Sequence, residues 1–107
     1  MFSKEFEMGV GLIKRFRDTL EEIARAGSPE EAKPLIEQIK HPVFGAMAQI
    51  KVGQGPLKEE ILEALAVVVS QFRELTDFAA LKEAIPQVIN LVEQSEKLAK
   101  EGAEQKG

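Results

Sequence analysis

Apolar or small residues recur at Phe2, Phe6, Gly9, Ile13, Phe16, Leu20 and Ile23, alternately four and three positions apart, so they form one stripe down a helix face. Gly27 ends the pattern. Ser28-Pro29-Glu30-Glu31 restarts it with an N-cap serine, a proline at the first helical position and a glutamate three residues past the cap. The second stripe is Leu35, Ile39, Val43, Ala46 and Ile50, and it stops at Gly53. After Gly55-Pro56 a third stripe takes Ile61, Leu65, Val68, Phe72 and Leu75. Thr76-Asp77 then caps a fourth helix, carried by Phe78, Leu81, Ile85, Val88 and Val92.

Short connections between long helices make consecutive helices antiparallel neighbours. Facing residues then have numbers of constant sum, which can be checked against the sequence. The first hairpin pairs Ile23 with Ala32, Leu20 with Leu35, Phe16 with Ile39, Leu12 with Val43 and Gly9 with Ala46. The second pairs Leu75 with Phe78, Phe72 with Leu81, Val68 with Ile85, Leu65 with Val88 and Ile61 with Val92. Every pair is apolar or small. The pattern predicts an all-α fold, an up-and-down antiparallel four-helix bundle built from two helical hairpins. It places a single bundle domain at residues 1–100 and a C-terminal tail at 101–107. Beyond Val92 the only large apolar anchor is Leu98, so the end of the last helix is expected to fray.

The segments EEAKPLIEQI and KEAIPQVINL put Pro34 and Pro86 at comparable depths in the second and fourth helices. A proline there has no N–H to donate and clashes with the carbonyl four residues back, so Glu30 and Lys82 lose a partner. Pro42 does the same to Gln38. The second and fourth helices are therefore expected to bend. If a proline instead starts a new helix, the count rises to five or six.

Composition narrows the chemistry. The chain of 107 residues is long enough to bury a core unaided, and it has no cysteine, which removes disulfides, thiolate metal sites and cysteine nucleophiles. The longest apolar run, ALAVVVS, is far below the ~20 residues of a membrane span, so a soluble, cytoplasmic protein is expected. The net charge of −4 argues against nucleic acid. In the basic stretch KRFR, Asp18 and Glu21 stand four residues beyond Lys14 and Arg17, the spacing of a solvated helix face.

Glu37 and His41 are one turn apart and are the weak metal candidates. A carboxylate di-metal site needs Glu-x-x-His twice, and His41 is the only histidine. Glu59, Glu60 and Glu63 read as the acidic first turn that complements a helix dipole. Ser70 has no base beside it and is expected to pack. GQGP lacks the lysine of a phosphate loop and reads as a turn. No cofactor is implied, and no catalytic constellation is present in the sequence.

Two features depart from an ordinary bundle. Gly9 and Gly11 meet Gly45, Ala46 and Ala48 at one level of the first hairpin, where small residues give either a close helix contact or a hollow. The third helix carries a further stripe, Leu62, Ala66 and Val69, beside its core stripe, so it is central in the monomer or covered by a second chain. The leading expectation is a non-enzymatic interaction module that self-associates as a homodimer, or binds a protein partner, through bundle faces. The alternative is a bundle in which bends at Pro34, Pro42 and Pro86 open an apolar pocket, lined by phenylalanines, for a small molecule or a lipid.

Overall fold

A computed structural model describes residues 2–106, with side chains described as far as residue 102. Among these residues it is all-helical. The five helices are α1 (Lys4–Arg15), α2 (Arg17–Arg25), α3 (Pro29–Val52), α4 (Lys58–Arg73) and α5 (Phe78–Lys106). α3 packs on α1, α2 and α4, and α5 packs on α4, α2 and α1, a set of contacts compatible with a helical bundle.

The caps form where the residue types demand them. The Ser28 hydroxyl accepts from the Glu31 N–H at 3.2 Å, and the Glu31 carboxylate accepts from the Gly27 N–H at 2.8 Å. The first satisfies a donor that the start of α3 leaves free, and the second ties the linker residue before the cap to the helix. Asp77 caps α5 by accepting from the Ala80 N–H at 3.0 Å. α4 starts at Lys58, later than Gly55-Pro56 suggests, behind Leu57 in the left-handed region at φ 62° and ψ 22°. Leu57 is half-buried and packed against the core, which holds it in this unfavourable conformation.

The expected break points are reversed. Pro34, Pro42 and Pro86 all lie inside unbroken helices, so none begins a new one. The first stripe, expected as one helix, divides at Phe16, where φ −103° and ψ 15° interrupt the helical geometry. Phe16 still donates to the Leu12 carbonyl and accepts from the Leu20 N–H, so the chain swerves without unravelling. The swerve redistributes the packing: α1 lies chiefly on α3, while α2 is shared between α5 and α3. Pro34 and Pro86 are exposed. On the solvent side a carbonyl that lacks its helical donor can turn to water, which is why the helix tolerates them.

The core draws on all the expected stripes but is displaced in the first hairpin, by two positions on α1 and by one on α3. Val10 and Ile36 are buried where Leu12 and Leu35 were expected, and Leu12, Leu35 and Phe16 are half-buried at its edge. In the second hairpin Ile61, Leu65, Val68, Phe72, Leu81, Ile85, Val88 and Val92 are buried as the pattern predicts, joined by Ala64, Val69, Ala84 and Ile89.

The end of α5 departs from the expected fraying. Ser95 is fully buried, and its hydroxyl donates to the Pro56 carbonyl. One residue on, Glu96 pairs with Lys14 at 2.9 Å. Docking therefore continues a full turn past Val92. Of the tail placed at 101–107, Glu101 and Gly102 continue α5, and the side chains from 103 onward lie outside the described residues. Ser95→Ala strands the Pro56 carbonyl and is expected to cost about 1–3 kcal/mol. Deletion of residues 102–107 should change stability by less than ~1 kcal/mol. Urea melts of the two variants check both values.

Candidate interaction surface

α4 lies between α3 and α5, and the three helices share a feature of composition. No Asp, Glu, Lys or Arg occurs in HPVFGAMAQI on α3 (41–50), ALAVVVSQF on α4 (64–72) or AIPQVINLV on α5 (84–92). In a chain with 30% charged residues, three adjacent helices lose their charges at overlapping levels. The exposed residues of these stretches are His41 and Ala48 on α3, Ala66, Val67 and Ser70 on α4, and Pro86, Gln87 and Asn90 on α5. On α4 and α5, Val67, Gln87 and Asn90 come together in one uncharged band, while Pro86 lies on the α2 side of α5. Between α4 and α5 the band dips into an open groove of about 510 Å³, with Ala64, Val67 and Leu91 along it, Gln87 and Asn90 on one side and Glu60 and Glu63 at one end.

Charge returns at both edges of the band on α4. Glu59, Glu60 and Glu63 stand toward its N-terminus and Arg73 at its C-terminus. The Arg73 guanidinium lies 5.0 Å from the centre of the Phe44 ring on α3, a cation–π contact that steadies it while leaving it exposed.

The stripe expected from Leu62, Ala66 and Val69 is divided by the fold. Val69 is 7% exposed and belongs to the core, Leu62 is half-buried against it, and Ala66 alone stands free. Val67, 37% exposed, takes the place that Val69 was expected to hold. Ser70, expected to pack, is exposed. The neighbouring stretch of α5 was missed because Gln87 and Asn90 are polar, and apolar periodicity does not register the absence of charge.

The small residues also separate. At Gly9 a β-carbon would lie 2.6 Å from Ile50 Cγ1 and 2.8 Å from the Ala46 carbonyl oxygen, so α1 and α3 touch backbone to backbone there. Gly11 and Gly45 face open space. Only Gly9 makes the close contact.

The remaining candidates have ordinary partners. Glu37 pairs with Lys40 at 3.0 Å, and exposed His41 sets its ring edge-on to Phe44. Among the described residues no group of three or more His, Asp or Glu is placed to hold a metal. Lys14 is paired with Glu96, and Arg17 bonds Glu21 at 2.7 Å and Glu93 at 2.6 Å. The hydrogen bond to Glu21 and the charge of Glu93 raise the Arg17 pKa further above its ordinary value. Among the described residues no helix is long and apolar enough to cross a membrane. A groove of about 310 Å³ between α2 and α5 has Pro86 on its lip, Ala24, Ile85 and Ile89 along it, and Glu21, Arg25 and Glu93 around it.

No protein-family model matches this chain, and neither a curated protein nor a solved structure shows significant similarity to it. The functional reading therefore stands on the residues and their placement.

Proposed function

We propose that this chain is a non-enzymatic helical interaction module that self-associates through the uncharged face of α3, α4 and α5. The observation that carries this reading is the band itself. Charge is depleted at the centre of protein interfaces and returns at their polar rims, and here exposed Ala66, Val67 and Ser70 are flanked by Glu59, Glu63 and Arg73. The fold is read as an up-and-down antiparallel four-helix bundle, with α1 and α2 together as its first helix. α3 and α5 are its proline-bent second and fourth helices. A small apolar ligand would instead use the Pro86 groove. That groove is open and rimmed by ionic side chains, so it favours the ligand reading less than the band favours association.

Amide chemical shifts of the labelled protein across a dilution series test the proposal. The amides of Ala66, Val67, Ser70, Gln87 and Asn90 should move with concentration, while those of α2 stay fixed. Movement in α2 and around Pro86 with Ala66, Val67 and Ser70 unmoved would contradict it.

The bends carry a prediction of their own. Pro86→Ala restores a donor for the Lys82 carbonyl, and it should be neutral or stabilising by up to ~1 kcal/mol. Self-association should weaken, and more so with Pro34→Ala added, because straightened α3 and α5 would carry α4 at a different angle. Circular dichroism should show unchanged helix content, and light scattering should show the weaker association. Equal association of parent and double variant would make the bends incidental.

A further inference from the structure

The outward row of α4 reads Glu59, Glu63, Ala66, Ser70, Arg73, spaced four, three, four and three residues apart, and every member is exposed. That is the spacing of a helix seam that meets a second helix along its length. Its ends are acidic and basic, and its middle is small. Resting on the reading of the band as a self-association surface, we infer that the occupant is a second copy of this chain, with the two α4 helices crossing antiparallel about a two-fold axis at Ala66.

The row is complementary to itself in one direction only. Turned antiparallel about Ala66, it brings Ala66 against its own counterpart, Glu63 against the partner's Ser70, and Glu59 against the partner's Arg73. The Ser70 hydroxyl donates to the Glu63 carboxylate, the Arg73 guanidinium meets the Glu59 carboxylate, and the two-fold axis makes each contact twice. A parallel pairing would set Glu59 on Glu59, Glu63 on Glu63 and Arg73 on Arg73. Like charges placed directly opposite oppose association, so the row selects its direction. Ala66 and Ser70 add little bulk at the crossing, which lets the helix axes approach closely. The open groove beside Ala64 and Val67 leaves room for side chains of the opposing helix. An acidic peptide or a nucleic acid would meet Glu59, Glu60 and Glu63 unfavourably, and neither finds in this row a match for both of its ends.

The chain contains no cysteine, so one introduced thiol reports on one place. Ala66→Cys, oxidised at low micromolar concentration, should give a disulfide-linked dimer, because a two-fold axis there brings the two β-carbons within disulfide reach. Ala48→Cys, exposed on α3, should remain uncrosslinked. Glu59→Arg and Arg73→Glu should each raise the dissociation constant of the dimer about tenfold, and the double exchange should restore it. If the parent dimerises but Ala66→Cys does not crosslink and the exchange gives no rescue, this geometry is wrong while self-association stands. If the parent stays monomeric at every concentration, both fall. All four positions are exposed, and circular dichroism is the check that each variant is folded.

Discussion

Phe6→Ala should remove about 3–5 kcal/mol of stability, as deletion of a fully buried aromatic ring does where its surroundings cannot close in. Phe6 is 0% exposed, belongs to the hydrophobic core, and has two glycines of the α3–α4 loop against it. Gly53 and Gly55 lie so close that a β-carbon on either would collide with Phe6. The segment before it is tied to the same loop: Ser3 donates its N–H to the Gln54 carbonyl at 2.8 Å, and its hydroxyl accepts from the Gln54 N–H at 2.8 Å. The Phe2 ring stacks against it, with ring centres 5.0 Å apart. A loop tied to Ser3 by these two hydrogen bonds is held from slumping into the space, so both the transfer and cavity costs apply. Domains of this size are stable by ~5–15 kcal/mol, so the loss is a large fraction of the whole. Urea melts should show a lower midpoint with an unchanged slope. A loss below ~1 kcal/mol would mean that the ring does not hold the first helix to the loop.

Gly9→Leu should be the other severe substitution, at about 3 kcal/mol, the upper end of what overpacking costs. The obstruction begins with the first carbon, since a β-carbon at Gly9 would stand 2.8 Å from the Ala46 carbonyl oxygen and 3.1 Å from the Ile50 nitrogen. Those are backbone atoms of α3, which cannot rotate away as a side-chain tip can. Replacing a helical glycine gains ~1 kcal/mol of intrinsic helix preference, too little to offset separating two helices. Gly45→Ala provides the contrast: it gains the same preference and meets open space, so it should stabilise. Denaturant melts of the pair read both signs. Tolerance of leucine at position 9 would mean that α1 and α3 do not touch there.

How far the sequence could be read depended on which force set each feature. Burial of apolar area fixed the stripes, and the second hairpin is buried nearly as its periodicity predicts. In the first hairpin Val10 and Ile36 displaced Leu12 and Leu35, because the contact at Gly9 sets how the two helices are rotated, and a glycine adds no apolar signal to a stripe. The caps at Ser28 and Asp77 were legible because they depend on residues three positions away. The break at Phe16 was not. It is tied to where α2 meets α5, through contacts such as Arg17 with Glu93, which are distant in sequence. Ser95 was unreadable for the same reason, since its partner is the Pro56 carbonyl and nothing local marks that bond. GQGP reads correctly as a turn, but only the fold gives its glycines a reason, as the wall against Phe6. In the candidate surface, Ala66 was legible from helical spacing and Val69 was not, because the rotation of α4 that buries it is decided by α5.

The central claim is that the uncharged face of α4 joins two copies of the chain. Sedimentation equilibrium of the parent and of Ala66→Glu, each over a wide range of dilution, tests it most directly. Ala66 is exposed, so the substitution places a charge in the band without entering the core. The parent should pass from dimer to monomer on dilution, and the variant should remain monomeric at concentrations where the parent is paired. A parent that is monomeric throughout, or a variant that dimerises as tightly as the parent, would contradict the claim.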